Sequence, residues 1–282
     1  MTDSDGITSR LIALALAEDL PQGDVTAAAT VPAAATATAA FVARAPGVVA
    51  GLDTVRAVAA AVDGDLRFEA LVSDGDAVEA GARLGRLSGR ARSILAAERT
   101  GLNLLTHLSG IATQTAAFVA AIAGTGCVVR DTRKTLPGMR ALQKAAVAAG
   151  GGVNHRASLS DGLLVKDNHV AAAGGIGPAT AAALAAAGAL PVQIEVDNLE
   201  QLEQALAAGA RAVLLDNFSI EDMVTAVKHC RQATEDVFVE ASGNVTLDTV
   251  AAIAATGVDA VSVGALTHSV RALDIGLDWE EA

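Results

Sequence analysis

A chain of 282 residues with a formal net charge of −12 and only 2% aromatic residues is poorly suited to nucleic acid. It has no broad basic surface to neutralise phosphates and almost no rings to stack on bases. The length suits one large domain or two smaller ones, and the 52% hydrophobic content, much of it alanine, supplies ample core. The N-terminus carries Asp3 and Asp5 and shows no signal peptide, which points to the cytoplasm. Cys127 and Cys230 lack metal spacing and read as buried free thiols of a reducing compartment.

Residues 1–109 read as an α+β domain of open-sandwich type. Ile7–Leu20 is helical, Ala37–Ala43 and Val48–Ala50 are strand-like, and Leu52–Val62 is a second helix. Leu71–Leu87 contains Asp74-Gly75-Asp76 and Gly81, turn signals within a β meander, and Arg92–Leu108 returns to helix. The Asp74–Leu84 pattern also occurs in lipoyl and biotinyl carriers. Those need an attachment lysine, and no lysine precedes Lys134.

From about residue 126 short β-branched runs alternate with alanine-rich helical stretches. The runs are Cys127–Arg130, Leu163–Lys166, Val192–Val196, Ala212–Leu215, Val237–Glu240 and Val258–Val263, with helices such as Leu199–Ala208 and Ile220–Ala233 between them. Repeated βα units imply an α/β parallel sheet or barrel. About 160 residues from 110 to 270 fall short of the ~250 of a complete barrel, so the expectation is an incomplete (β/α) barrel over 110–269. The tail, 270–282, is expected to pack with the N-terminal domain. The uncharged stretch 170–194 is broken by glycines and Pro178 and reads as helix plus loops rather than a membrane span.

Seven of the chain's 20 Lys and Arg residues lie between Arg130 and Lys166, against two acidic ones, Asp131 and Asp161. An acidic chain that concentrates cations locally is built to hold an anion there. Arg133 and Arg156 are planar forks suited to carboxylates. Lysine is scarce, four against sixteen arginines, so Lys134 and Lys166 at strand ends mark places for compact point charges. Lys144 and Lys228 read as solvated helix surface. Gly150-Gly151-Gly152 before His155 and Arg156 exceeds the single glycine of a helix stop and reads as a ligand loop.

Gln193, Glu195 and Asp197 alternate onto one face of their strand. Glu195 and Asp216 are candidates for Mg²⁺, which takes one or two carboxylates plus substrate oxygens. Ser242-Gly243-Asn244 and Val263-Gly264-Ala265 follow the last two strands, where barrels build phosphate sites from backbone N–H groups. No Ser/His/Asp set, Cys/His pair or dinucleotide fingerprint is present. These residues fit either joining a carboxylated molecule to a phosphorylated one or a lyase acting on a phosphorylated acid.

The run Arg130–Gly138 resembles the signature of the quinolinate phosphoribosyltransferases, a type II phosphoribosyltransferase family. So do Gly150–Arg156, Lys166–His169, Glu195–Asp197, Leu215–Phe218, Glu240–Gly243 and Gly264–Ser269. Glu18-Asp19, Gly23–Thr26, Glu98–Thr100 and Leu108–Thr113 extend the resemblance over nearly the whole chain. Ala241 and Asn244 are mild variations on the pattern. The resemblance implies Mg²⁺-dependent transfer of phosphoribose from phosphoribosyl pyrophosphate to quinolinate, with loss of CO₂, toward NAD. Catalytic roles would fall to Lys134, Lys166, Glu195 and Asp216. Substrate contacts would add Arg99, Thr132, Arg133, His155, Arg156, Ser242, Gly243, Asn244, Val263, Gly264, Ala265 and His268. It further implies a homodimer in which Arg99 enters the partner's site. The alternatives are a relative acting on another pyridine carboxylate, a Schiff-base aldolase using Lys166, and a non-catalytic phosphoribosyl-ligand sensor.

Overall fold

The computed structural model describes residues 4–233 and 236–280. Asp3 and the last two residues of the 270–282 tail lie outside them. The chain divides into two compact units. The first comprises the residues up to Ala116, Lys134–Gly151 and those from Ala265 onward, and the second Ala117–Arg133 with Gly152–Gly264. The strands in chain order are β1 (Thr36–Ala43), β2 (Gly47–Val48), β3 (Arg67–Ala70), β4 (Ala77–Val78), β5 (Arg83–Arg90), β6 (Val128–Arg130), β7 (Leu163–Val165), β8 (Val192–Val196), β9 (Ala212–Asp216), β10 (Phe238–Ser242), β11 (Ala260–Ser262) and β12 (Ile275–Trp279).

The first unit is built on an antiparallel sheet in the order β12-β1-β5-β3, with β2 and β4 as a separate pair. An apolar cluster forms its core, with Phe41, Leu84, Leu87, Ile94 and Leu105 almost wholly buried. Each such side chain contributes about 1.5–3 kcal/mol through burial. Asp74 belongs to the turn chemistry expected of it, for its carboxylate accepts from the Gly51 and Leu52 N–H groups (2.9 and 3.1 Å) where helix Leu52–Val62 begins. The helix expected to end at Leu108 runs over Ala91–Ala121. It is long and apolar enough to cross a membrane, yet Ile94, Leu105, Leu108 and Ile111 on it are buried in protein.

Helix Arg140–Ala149 falls in the first unit. Buried Gln143 on this helix explains it. Its amide nitrogen reaches the His107 ring (2.8 Å) and the Thr267 carbonyl (3.2 Å), and its oxygen accepts from Leu136 N–H (3.0 Å). Lys144, expected on the solvated surface, is 4% exposed. An alanine-rich helix packs closely and covers the aliphatic stem of a long side chain. Lys228 is exposed, as its helical position suggested.

The second unit holds six parallel strands in the order β6-β11-β10-β9-β8-β7. The two edge strands are β6 and β7, and the described strands show no pairing between them. Val153 instead makes one parallel bridge to Arg130. The result is an α/β barrel left incomplete at one seam. The uncharged stretch near 170–194 forms helices Asp167–Ala173 and Ile176–Ala186, which meet at 97°.

Candidate active site

The strands of the second unit bring Lys166, Glu195, Asp216 and Ser242 to their C-terminal ends. Lys166 follows β7, Glu195 lies in β8, and Asp216 and Ser242 end the neighbouring strands β9 and β10 in register with each other. The C-terminal ends of parallel strands are where barrel enzymes gather their chemistry. Lys166 Nζ forms an ion pair with Glu195 Oε2, and the Glu195 side chain is only 9% exposed. Burial pushes the Arg156 guanidinium pKa down, and the positive charge of Arg133 pushes it further, while Asp161 and Glu195 act against both. Two cations held near each other at the cost of mutual repulsion suit a ligand that brings more than one negative charge. Arg156 Nη1 donates to the Gly162 carbonyl (2.8 Å), which sets the direction of the fork.

Behind these groups lies a buried polar network that the sequence reading did not assemble. Glu240, fully buried, accepts from Arg130 Nη1 (2.7 Å), from Gln193 Nε2 (2.8 Å) and from Ser262 Oγ. His155 Nε2 lies 3.0 Å from Gln193 Oε1. His155 Nδ1 accepts from the Arg156 N–H (2.7 Å), so the proton of the neutral ring sits on Nε2 and is donated to Gln193. The His155 N–H is tied to buried Asp131 Oδ1 (2.8 Å). His155 therefore uses both ring nitrogens within the protein, and its geometry holds the Arg156 loop. Alternation along β8, which puts Gln193 on the Glu195 face, was the available signal for Gln193. Arg130 was marked only as one of the clustered cations, and nothing local marked Ser262.

A cavity of about 410 Å³ opens beside Arg130, His155, Arg156 and Gln193, and its remaining wall includes Leu163, Val192, Ala212 and Phe238. These last four are the first residues of β7, β8, β9 and β10. The cavity thus lies at the strand ends opposite Asp216 and Ser242. The Arg130 guanidinium stacks over the Phe238 ring there (5.6 Å).

Asp216 is half-buried, and its Oδ2 accepts from Asn217 Nδ2 (2.8 Å). The turns after β9 and β10 border a cleft of about 370 Å³ at the starts of helices Ile220–Ala233 and Leu247–Ala254. Val263 is buried and its N–H donates to the Arg130 carbonyl (2.9 Å), and Gly264 ends the second unit. Thr132 is half-buried.

Four predicted site residues belong to the first unit. Arg99 is an exposed residue of helix Ala91–Ala121, and Lys134 is exposed, with its carbonyl accepting from Thr267 Oγ1 (2.8 Å). Ala265 begins helix Ala265–His268, and His268 Nδ1 lies 2.6 Å from Ser269 Oγ. The glycine run has local reasons of its own. A Cβ on Gly150 would come within 2.6 Å of the Thr115 Cβ, and Gly151 has a left-handed φ of 84°. Two of the three glycines are thus required by packing and by the helix stop.

Residues 24–109 match the family model described as quinolinate phosphoribosyl transferase, N-terminal domain, and residues 111–278 match that of its C-terminal domain. The carboxylating nicotinate-nucleotide pyrophosphorylase of Mycobacterium leprae (strain TN) is 51% identical over 267 residues, 94% of each chain. The chain belongs to the quinolinate phosphoribosyltransferase family. The relative from Bacillus subtilis (strain 168) described as "Probable nicotinate-nucleotide pyrophosphorylase [carboxylating]" is 39% identical over 93% of this chain and 89% of its own length. The solved nicotinate-nucleotide pyrophosphorylase of Francisella tularensis superposes with a TM-score of 0.93 at 42% identity, covering 99% of this chain and 98% of that one. The chain is thus a pentosyltransferase of nicotinate-nucleotide and NAD biosynthesis.

The Mg²⁺ implied by the family resemblance can be tested against the donors present. Among the described residues no group of three or more His, Cys, Asp or Glu side chains converges on a metal position. An all-protein cage is therefore not on offer. Asp216 and Glu195 on adjacent strands do fit an ion that keeps several waters and takes substrate oxygens. Glu195 would share such an ion with the Lys166 ammonium, leaving Asp216 as the better ligand.

Proposed function

We propose that this chain transfers phosphoribose from phosphoribosyl pyrophosphate to the ring nitrogen of quinolinate. The C1–pyrophosphate bond breaks, a C1–N bond forms, and loss of CO₂ then gives nicotinate mononucleotide. The observation that carries the reading is the gathering of Arg133, Arg156 and Lys166 with Glu195 and Asp216 in one unit of an otherwise acidic chain. Quinolinate is a dicarboxylate, and the forks of Arg133 and Arg156 suit it, with His155 holding Arg156 in place. Thr132 lies beside Arg133 in the chain and is a further candidate contact.

Breaking the C1–pyrophosphate bond develops negative charge on the leaving group and oxocarbenium character on the ribose. Lys134 and Lys166 stabilise the first, and the carboxylates of Glu195 and Asp216 tolerate the second. Mg²⁺, held by Asp216 and Glu195, would supply Lewis-acid neutralisation of the phosphate oxygens. Backbone groups of Ser242, Gly243 and Asn244, and of Val263, Gly264 and Ala265, with His268 near them in sequence, are assigned to the phosphates. Decarboxylation follows transfer, because only a quaternised ring nitrogen offers a sink for the electrons left on the ring.

The working form is a homodimer in the cytoplasm, with Arg99 of each chain entering the site of the other. The two buried thiols, whose pKa values burial pushes up to about 11, are suited to a reducing compartment.

The test is incubation with carboxyl-labelled quinolinate, phosphoribosyl pyrophosphate and Mg²⁺. Nicotinate mononucleotide, pyrophosphate and labelled CO₂ are expected in equal amounts. Pyrophosphate release without CO₂ would point to another pyridine carboxylate as the acceptor, and binding without either product would mark a sensor.

A further inference from the structure

Among the described residues, only two other than glycine have a positive φ, Asn217 (56°) and Asn244 (50°). They sit in the turns after the adjacent strands β9 and β10, and they are hydrogen-bonded to each other. Asn244 Nδ2 donates to Asn217 Oδ1 (3.1 Å), and Asn217 Nδ2 donates to Asp216 Oδ2 (2.8 Å). The Asn217 N–H donates to the Ser242 carbonyl (2.9 Å), so backbone and side chain together tie the two turns. Gly243 stands between Ser242 and Asn244 with φ 94°. A Cβ there would lie 2.9 Å from the Asn217 nitrogen and closer still to its side-chain amide. Asparagine tolerates the left-handed region better than other residues with a Cβ, and strained backbone persists where the surroundings over-determine it.

The direction of the hydrogen bonds is fixed by chemistry. An ionised Asp216 only accepts, so the Asn217 amide must present its nitrogen to Asp216 and its oxygen to Asn244. We propose that Asn217 is a positioning residue of the transferase site, and that with Asn244 it sets the Asp216 carboxylate in register with the phosphate-cradling turn Ser242–Asn244. The inference rests on the assignment of Asp216 and that turn to phosphoribosyl pyrophosphate, and adds the element that keeps the two together. Asn244, a variation on the family pattern, is then the residue that completes the link.

The experiment is calorimetric titration of phosphoribosyl pyrophosphate with Mg²⁺, without quinolinate, on the full chain and four variants. A parallel assay separates KM for each substrate from kcat. Asn217→Gly keeps the left-handed turn and removes the link. It is expected to weaken phosphoribosyl pyrophosphate binding about 10–100-fold, the usual cost of losing a group that orients a ligand-holding side chain. KM for quinolinate is expected to move far less. Asn217→Asp keeps the shape but loses the donor to Asp216, and the same loss is expected. Asn244→Gly preserves its turn and is expected to give a smaller loss in the same direction. Asp216→Ala should show the full loss of binding and turnover.

Wild-type binding by Asn217→Gly or Asn217→Asp, with Asp216→Ala impaired, overturns the positioning role and leaves the assignment of Asp216 standing. Wild-type binding and turnover by Asp216→Ala overturns both. A loss in Asn217→Gly that falls equally on both substrates, with a lowered melting temperature, shows a merely structural role and also overturns the proposal.

Discussion

The two units bury different kinds of interior. The first packs Phe41, Leu84, Leu87, Ile94 and Leu105 into an apolar core, whereas among the described residues the buried acidic ones, Asp131, Glu195 and Glu240, all belong to the second. Apolar burial is non-directional and tolerates approximate fit, while a buried carboxylate must find donors or shift to its neutral form. The second unit supplies those donors from Arg130, Gln193, Ser262 and the His155 N–H. In this chain, polar burial marks the place where geometry has to be kept.

The largest expected effect probes that contrast directly. Glu240→Ala leaves the Arg130 charge and the Gln193 amide without their acceptor. It should cost about 3–5 kcal/mol in urea unfolding and abolish quinolinate binding in whatever remains folded. The counterpart, Leu105→Ala, should cost about 2–5 kcal/mol through a cavity but leave kcat per folded molecule unchanged. If Leu105→Ala costs activity and Glu240→Ala does not, the contrast between the two interiors is wrong.

Next, Arg133→Ala and Arg156→Ala should each weaken quinolinate binding by about 1.5–3 kcal/mol without changing the urea midpoint. Fluorescence or calorimetric titration checks this, and unchanged affinity would remove the carboxylate role.

The smallest effect is one of pH. Burial holds the His107 pKa below its ordinary 6.5 in the folded first unit. The unfolded chain therefore takes up a proton first as pH falls, and this stability, fully present above the ordinary value, is lost below it. Melting temperature should drop from about pH 7.5 to about pH 5.5, and His107→Gln should shrink that drop.

The βα order of the second unit was legible because Val192–Val196 and Ala212–Leu215 are compact apolar runs closed by Glu, Asp or Lys. The candidate cations were legible because seven of them interrupt an acidic chain. Strand β3, with the sequence Arg-Phe-Glu-Ala, is too polar to announce itself. β12 becomes a strand only through pairing with β1, as in Phe41 opposite Leu277 and Ala43 opposite Ile275. The tie between Gln193 and Glu240 depends on how the strands stand across the barrel, and the burial of Lys144 on how closely its helix packs. Neither is a property of neighbouring residues. Asn217 and Asn244 look like ordinary turn residues until their backbone angles are known.

The antiparallel sheet has a consequence for synthesis. Its edge strand β12 is translated after every strand of the parallel sheet, and helix Arg140–Ala149 reaches the first unit from within the second unit's stretch of chain. Domains generally mature in the order in which they leave the ribosome. Here the order is inverted, for the ribosome delivers the whole second unit by Gly264, while the unit it began first still waits for β12. Until then the nascent chain carries β1 with an open edge, the kind of surface that recruits stray strands.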